Sequence, residues 1–248
     1  MLITPPVTNC CSHETRRGFL KTAGIATAAG LLGAGPFAQV AYAAALTRAQ
    51  RDKLTPDEII AMMKRGNERF RSGKKSTQDF LAQQRASAKG QYPAAVILSC
   101  IDSRASAETI MDLAIGDVFN ARVAGNVAND DILGSMEFAC AAAGAKVVLV
   151  MGHTACGAIA GAIDDVKLGN LTGLLARIQP AVKATSYQGD RSAKNNAFVD
   201  AVARRNVELT MENIRKGSSV LSDLKAKGAI NIVGAMYDIA SAKVDFFS

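Results

Sequence analysis

The chain has 248 residues, which is enough for one large domain or two small ones. Its 29 lysines and arginines against 22 aspartates and glutamates give a net charge of only +7. The basic residues are scattered along amphipathic helical segments without interleaved aromatic side chains, so we expect a solvated surface and no nucleic-acid partner.

The first 43 residues are predicted to be an export leader. Residues 15–21 read Thr-Arg-Arg-Gly-Phe-Leu-Lys, an apolar segment rich in glycine and alanine follows over 22–40, and Ala-Tyr-Ala at 41–43 offers a cleavage site. The alternative is a buried or membrane-spanning helix, which the four glycines and the proline of this segment disfavour. We therefore expect twin-arginine export to the periplasm or the extracellular space, with no stable membrane anchor after cleavage.

Cleavage would leave 26 basic and 21 acidic residues, a net charge near +5, together with three cysteines and one histidine. Three thiols cannot all pair with one another. An oxidising compartment favours disulfides. A disulfide between Cys100 and Cys156 would destroy any metal site that these two thiols form. Because the twin-arginine route carries folded proteins, a metal could be bound in the reducing cytoplasm first.

Cys140 lies in an alanine-rich helical segment and is expected to pack in the core.

Residues 44–90 are predicted to form an N-terminal helical arm. Pro56 and the spacing of the apolar residues predict an amphipathic helix over 55–73, and a polar helix is predicted over 79–89. Neither helix can bury much by itself, so the arm is expected to pack against another surface. The sequence leaves open whether that surface belongs to a partner subunit or to the arm's own domain.

Residues 91–248 are predicted to form the catalytic α/β domain. Strands are expected over 94–100, 118–123, 146–152, 229–238 and 243–247, with helices over 105–112, 130–144, 156–166 and within 192–227. Ser103 is expected to cap the first of these helices. The alternation predicts an α/β fold with a central, mostly parallel sheet of four to five strands flanked by helices.

Two of these strands end in side chains that bind metals. Cys100 ends the first predicted strand, and His153 and Cys156 follow the third. Because parallel strands end at one edge of a sheet, where α/β proteins bind ligands, these three residues should meet there. Two thiolates, an imidazole and one open position make a catalytic zinc set. Asp102 and Arg104 follow Cys100 and strengthen the prediction, since packing alone does not explain them.

The motifs resemble those of the β-class carbonic anhydrases, and of their plant-type members in particular. The chain reads Cys-x-Asp-x-Arg at 100–104, Arg-Val-Ala-Gly-Asn at 122–126 and His-x-x-Cys at 153–156. The resemblance implies one Zn²⁺ per chain and reversible hydration of CO2 to bicarbonate and a proton by zinc-bound hydroxide. It also implies a homodimer or a dimer of dimers in which the N-terminal arm embraces the partner subunit.

Two roles are open to Asp102. It can accept a hydrogen bond from the zinc-bound hydroxide, or it can become the fourth zinc ligand in a closed, inactive state. A bidentate pair with Arg104 would hold the carboxylate away from the metal. A purely structural ion pair at a helix start is the alternative.

The resemblance also implies a substrate pocket built from Gln91, Phe119, Ala124 and Phe138. By spacing alone, Gln91 is a polar loop residue and the other three are ordinary core residues. Phe138 stands where plant-type members often have tyrosine, and residues 105–106 are Ala-Ser where Val-Pro is usual. The mature chain has no second histidine that could shuttle protons, so protons would leave through water, buffer or a carboxylate such as Asp102.

Two other functions are compatible with these residues. The first keeps the fold and the metal but hydrolyses carbonyl sulfide or carbon disulfide, which are linear and apolar like CO2. The second is a non-catalytic zinc-binding or thiol redox protein, although a redox pair of Cys100 and Cys156 would need neither His153 nor Asp102 with Arg104.

Overall fold

The computed structural model describes residues 45–248, and the predicted leader lies outside this range. A five-stranded sheet forms the centre of the described chain, in the order β2-β1-β3-β4-β5. The first four strands run parallel, and β5 is antiparallel to β4. The strands are β1 (Ala95–Ser99), β2 (Val118–Arg122), β3 (Val147–His153), β4 (Asn231–Tyr237) and β5 (Val244–Phe247).

Helices cover both faces of this sheet. Every residue of β1 and β3 is buried, which their uninterrupted apolar sequences require. The helices are α1 (Arg48–Lys53), α2 (Pro56–Arg71), α3 (Phe80–Ser87), α4 (Ala107–Ile110), α5 (Asp130–Glu137), α6 (Gly157–Ile163), α7 (Gly169–Ala176), α8 (Gln179–Ala184), α9 (Asn196–Gly217) and α10 (Ser219–Ala226). None of the helices in residues 45–248 has both the length and the apolar character needed to cross a bilayer. The predicted α/β fold is confirmed.

The N-terminal arm packs on its own domain. Ile59 and Met63 of α2 are fully buried in the core on one face of the sheet. Gly66 lets α2 approach α4 so closely that a Cβ there would lie 1.8 Å from the carbonyl oxygen of Met111. Helix α2 of the arm therefore packs on its own domain.

Local boundaries differ from the prediction in three places. The helix expected over 105–112 is the single turn α4, and its N-cap is Ser106. The capping role predicted for Ser103 is therefore wrong, because the chain first turns through residues 100–106. The helix expected over 130–144 is α5 followed by a π-helical turn, Phe138–Ala142. Helix α1 was not predicted, since its six residues are almost entirely polar.

Candidate metal centre

The parallel pairing of β1 with β3 brings the predicted metal ligands together. Ser99 pairs with Met151, so Cys100, just after β1, and His153, the last residue of β3, lie at the same end of the sheet. Cys156 is the N-cap residue of α6, which begins directly after the turn that follows β3. One ligand atom from each of Cys100, His153 and Cys156 lies within 4.8 Å of the others, and all three residues are buried.

The imidazole of His153 presents one free nitrogen to this cluster. Its Nδ1 lies 2.9 Å from the carbonyl oxygen of Thr154, which can only accept, so Nδ1 carries the proton. The other nitrogen, Nε2, is buried and has no hydrogen-bond partner in the part of the chain that the structure describes. A buried lone pair without a donor is costly in a folded protein, and a metal ion is the partner that this nitrogen fits.

The two cysteines are arranged as metal ligands rather than as ordinary core thiols. Their Sγ atoms lie 4.0 Å apart, without a bond between them. The hydrogen bond from the Cys156 thiol lowers the pKa of Cys100 to about 4, whereas sharing that proton with the Cys100 thiolate raises the pKa of Cys156. Two thiolates this close repel each other unless a cation lies between them. These residues therefore fit a metal with sulfur and nitrogen ligands.

Asp102 and Arg104 form a bidentate pair beside the cluster. The guanidinium donates from Nη2 to Oδ2 at 2.7 Å and from Nε to Oδ1 at 3.0 Å, and the backbone N–H of Arg104 also donates to Oδ1. These hydrogen bonds hold the pKa of Asp102 well below its usual range. Oδ2 lies 3.9 Å from Nε2 of His153, so the carboxylate is next to the ligand cluster but remains held by arginine.

Arg122 fixes the loop that carries Cys100 and Asp102. From the end of β2 its guanidinium donates to the carbonyl oxygen of Cys100 at 2.9 Å and to that of Asp102 at 2.6 Å. Sequence reasoning noticed Arg122 only as part of a motif and assigned it no contact. A bond to a backbone carbonyl is independent of the acceptor's residue type, so the sequence offers no sign of it.

A short helical turn, Ala124–Asn126, closes over the sulfur of Cys100. Gly125 has φ of +67°, which glycine adopts without strain, and its N–H lies 3.4 Å from Sγ. The buried Asn206 of α9 donates to the carbonyl oxygen of Gly125 at 2.8 Å and so fixes the turn.

The four predicted substrate residues do not form one pocket in the described chain. Ala124 belongs to the turn over Cys100. Phe119 and Phe138 contact each other edge to face, with ring centroids 6.0 Å apart, but Phe119 pairs with Val96, three residues before the end of β1. Gln91 precedes β1 and lines a small cavity at the opposite end of that strand from Cys100. Their predicted contact with substrate stays a prediction.

Comparisons with known proteins agree with this geometry. Residues 95–244 match the family model described as carbonic anhydrase. The chain is 36% identical to carbonic anhydrase 2 of Mycobacterium tuberculosis over 183 residues, which cover 71% of this chain and 86% of that protein. Among solved structures, the β-carbonic anhydrase CafA of Aspergillus fumigatus is 28% identical with a TM-score of 0.57, covering 66% of this chain and 79% of that one. A tetrameric β-carbonic anhydrase of Sordaria macrospora has the same fold at 24% identity and a TM-score of 0.57, over 65% of this chain and 83% of that one.

Proposed function

Because this chain belongs to the carbonic anhydrase family and has the β-class fold, we propose that it hydrates CO2 reversibly to bicarbonate and a proton in a zinc-dependent reaction. The observation that carries the proposal is the buried set of Cys100, His153 and Cys156, whose ligand atoms lie within 4.8 Å of one another. The carboxylate of Asp102 stands beside it. Membership of the family alone would leave the metal and the reacting groups of this chain unassigned.

Cys100, His153 and Cys156 would hold one Zn²⁺ per chain. A zinc ion with three protein ligands and one open position lowers the pKa of a coordinated water from ~15.7 to roughly 7 and so supplies a nucleophile at neutral pH. The chain's own contribution is orientation. Thr154 fixes the tautomer of His153, and Arg122 and Gly125 fix the position of Cys100.

Asp102 acts in this proposal as a hydrogen-bond acceptor for the reacting water. Its pKa lies well below the usual range because of Arg104, so it stays ionised at neutral pH and can accept a hydrogen bond. Because of this low pKa, Asp102 is a poor carrier of protons. The proton released in the reaction would therefore leave through water or buffer. Arg104 also holds both carboxylate oxygens, which favours the state in which Asp102 is not a fourth metal ligand.

CO2 is favoured over carbonyl sulfide and carbon disulfide. The relatives that match this chain are themselves named carbonic anhydrases. The thiol redox alternative leaves the free Nε2 of His153 and the pair of Asp102 with Arg104 without a role.

We further propose that the chain forms a homodimer through the exposed edge of β2, the last strand on its side of the sheet. Apolar side chains flank this edge on both faces: Phe80 and Ile115 line one cavity with Val118, and Phe138 packs on Phe119. Phe80 is 58% exposed and Phe138 57%. An edge strand with apolar flanks invites pairing, and two copies can bury it symmetrically. Gln91 can reach a substrate only at the site of such a second copy, since it lies far from its own Cys100.

Export by the twin-arginine route is proposed from the leader sequence. Replacing Arg16 and Arg17 together by lysine should retain the protein in the cytoplasm as an uncleaved precursor. Cell fractionation followed by immunoblotting would check this, with Lys21→Arg as the matched control. Periplasmic recovery of the double variant would contradict the proposed route.

A stopped-flow assay of CO2 hydration tests the proposed reaction, run beside hydrolysis assays for carbonyl sulfide and carbon disulfide. We expect zinc-dependent hydration of CO2 to be the fastest of the three reactions. Faster turnover of either sulfur compound would reassign the substrate while leaving the fold and the metal in place.

A further inference from the structure

The turn between His153 and Cys156 contains a strained residue. Ala155 has φ of +53°, in the left-handed region that residues other than glycine rarely adopt. Asparagine and aspartate tolerate this region because their side chains can hydrogen-bond locally, whereas alanine has no such group. The conformation of Ala155 must therefore be maintained by contacts from outside the turn.

Three hydrogen bonds from distant residues hold this turn. The N–H of Thr154 donates to the carbonyl oxygen of Tyr237 at 2.9 Å, and the N–H of Ile239 donates to the hydroxyl of Thr154 at 3.0 Å. The first extends the pairing of β3 with β4, and the second ties the Thr154 side chain to the chain that follows β4. The third comes from α9, where Oδ1 of Asp200 accepts the N–H of Ala155 at 2.9 Å. It is the bond that acts on the strained residue itself.

We infer that Asp200 is a positioning residue for the metal centre, an inference that rests on the proposed metal-dependent function. Cys156 directly follows Ala155, so a change in the φ angle of Ala155 would move the Cys156 sulfur away from Cys100, which is now 4.0 Å distant. Within residues 45–248, Asp200 makes no hydrogen bond to the three ligand residues and no ion pair. Its carboxylate is therefore available to one backbone N–H, and the structure gives it no other partner there.

This role depends on an acceptor oxygen at one position, not on negative charge. Asp200→Asn keeps the acceptor oxygen but removes the charge. Asp200→Glu keeps the charge but displaces the acceptor oxygen by one methylene. Asp200→Ala removes both the oxygen and the charge. Glu212→Ala is the matched control, because Glu212 lies on the same helix and forms ion pairs with Arg205 and Lys216, each at 3.9 Å.

The experiment measures metal transfer from the zinc-loaded chain to a chelator and the visible absorption of the Co²⁺-substituted chain. Loss of a residue that orients a metal ligand typically changes metal affinity about 10- to 100-fold. We expect roughly tenfold faster metal release and an altered Co²⁺ spectrum for Asp200→Ala and Asp200→Glu, but release within about threefold of the parent for Asp200→Asn. Glu212→Ala should match the parent protein in both measurements.

Parent-like release and spectrum in both Asp200→Ala and Asp200→Glu would overturn the inference and leave the proposed function standing. A parent-like glutamate variant beside an impaired asparagine variant would also overturn it, because charge would then be the requirement. If Asp200→Ala fails to fold, the comparison of the asparagine and glutamate variants still decides. A parent chain that binds neither metal would overturn both this inference and the proposed function.

Discussion

At the scale of single residues, the proposed metal centre brings three buried ligand atoms within 4.8 Å of one another. Nε2 of His153 has no hydrogen-bond partner among residues 45–248, and the sulfurs of Cys100 and Cys156 lie 4.0 Å apart beside it. Cys140 provides the contrast. It is buried among apolar side chains, and burial raises the pKa of its thiol to about 12. A cation explains the first three residues, and packing explains the fourth.

Removing one ligand should therefore empty the site. Cys100→Ser and His153→Ala are each expected to lower zinc occupancy by at least roughly tenfold and to abolish CO2 hydration, because three protein ligands become two. Metal analysis of the purified variants measures this. Cys140→Ser should keep both zinc and activity, and full zinc occupancy in either ligand variant would contradict the assignment.

Asp102 should affect rate rather than metal binding. Asp102→Ala is expected to keep zinc but lose hydration activity by about 10²- to 10³-fold, because the acceptor that orients the reacting water is gone. Stopped-flow kinetics beside metal analysis separates the two effects. Full activity in a zinc-loaded Asp102→Ala variant would remove Asp102 from the mechanism.

Arg104 should set the acid limit of activity. The hydrogen bonds from Arg104 lower the pKa of Asp102, so the parent keeps an ionised carboxylate when the pH falls well below neutral. Arg104→Gln should raise that pKa, so the carboxylate would become protonated, and activity would fall, at a higher pH than in the parent. A pH–rate profile of both proteins checks the direction. An acid limit that stayed in place or moved to lower pH would contradict this role.

At the scale of elements, the sequence predicted the strands of the central sheet, because these are marked by runs of apolar residues. The five strands were placed within two residues of their ends. The strongest signals were β1 and β3, because strands buried throughout are almost entirely apolar. The strand predictions also gave the end of the sheet at which Cys100, His153 and Cys156 lie, because the carboxyl ends of parallel strands lie on the same side of a sheet. Helix α4 was predicted too long, because alanine-rich sequence around Ala107 suits a helix while the loop at Asp102 and Arg104 takes up the preceding residues.

Contacts between distant elements were beyond the sequence. Arg122 and Asp200 each bond to backbone atoms, whose chemistry is the same at every residue. The contact of Gln91 with substrate stays a prediction. Its place before Cys100 resembles that of a glutamine in the plant-type members, and the intervening strand carries the two residues to opposite ends of the sheet. Spacing along a chain does not fix distance across a strand.

The packing of helix α2 depends on a buried carboxylate. The side chain of Asp112 is fully buried and accepts from Arg69 Nε at 2.6 Å and from both the N–H and the hydroxyl of Ser76. Burial raises the pKa of Asp112, but the hydrogen bonds from Arg69 and Ser76 outweigh it, and the pKa lies below its usual value. The ionised form is therefore the one that stabilises the fold.

Asp112→Asn should lower the free energy of unfolding by on the order of 2 kcal/mol, since Arg69 is partly exposed and the loss is less than for a fully buried pair. Because the pKa of Asp112 is lower in the folded than in the unfolded chain, its ionised carboxylate stabilises the fold at pH values above the unfolded pKa of about 3.9. This stabilisation is lost as the pH falls through the pKa of the folded state. Urea unfolding at neutral and acid pH should show the difference between parent and variant shrinking below about pH 4. The exposed Asp223→Asn is the control, and a difference that grew towards acid pH would contradict the assignment.

At the scale of the whole molecule, the edge of β2 is unpaired in the described chain and exposes two aromatic side chains. The arm packs on its own domain through Ile59 and Met63, yet Phe80 of its last helix stays exposed beside β2. The same edge displays Phe138. An apolar surface alongside an unpaired strand is what a subunit interface requires.

Phe80→Glu should therefore weaken association of the chains. We expect the dissociation constant of the dimer to rise by roughly tenfold or more, because a charge would replace an aromatic side chain at the proposed interface. Sedimentation velocity over a range of concentrations measures this. Leu168→Glu changes a similarly exposed apolar residue that precedes α7 and belongs neither to β2 nor to α3, and it should leave association unchanged. A parent chain that stays monomeric at every concentration would contradict the proposed dimer.

The most direct test of the proposed metal centre is X-ray absorption at the zinc edge of the purified mature chain, together with its metal content. We predict about one zinc per chain, with two sulfur ligands at ~2.3 Å and one imidazole nitrogen at ~2.0 Å, the remaining ligand being oxygen. A zinc-free chain in which Cys100 and Cys156 form a disulfide would contradict it.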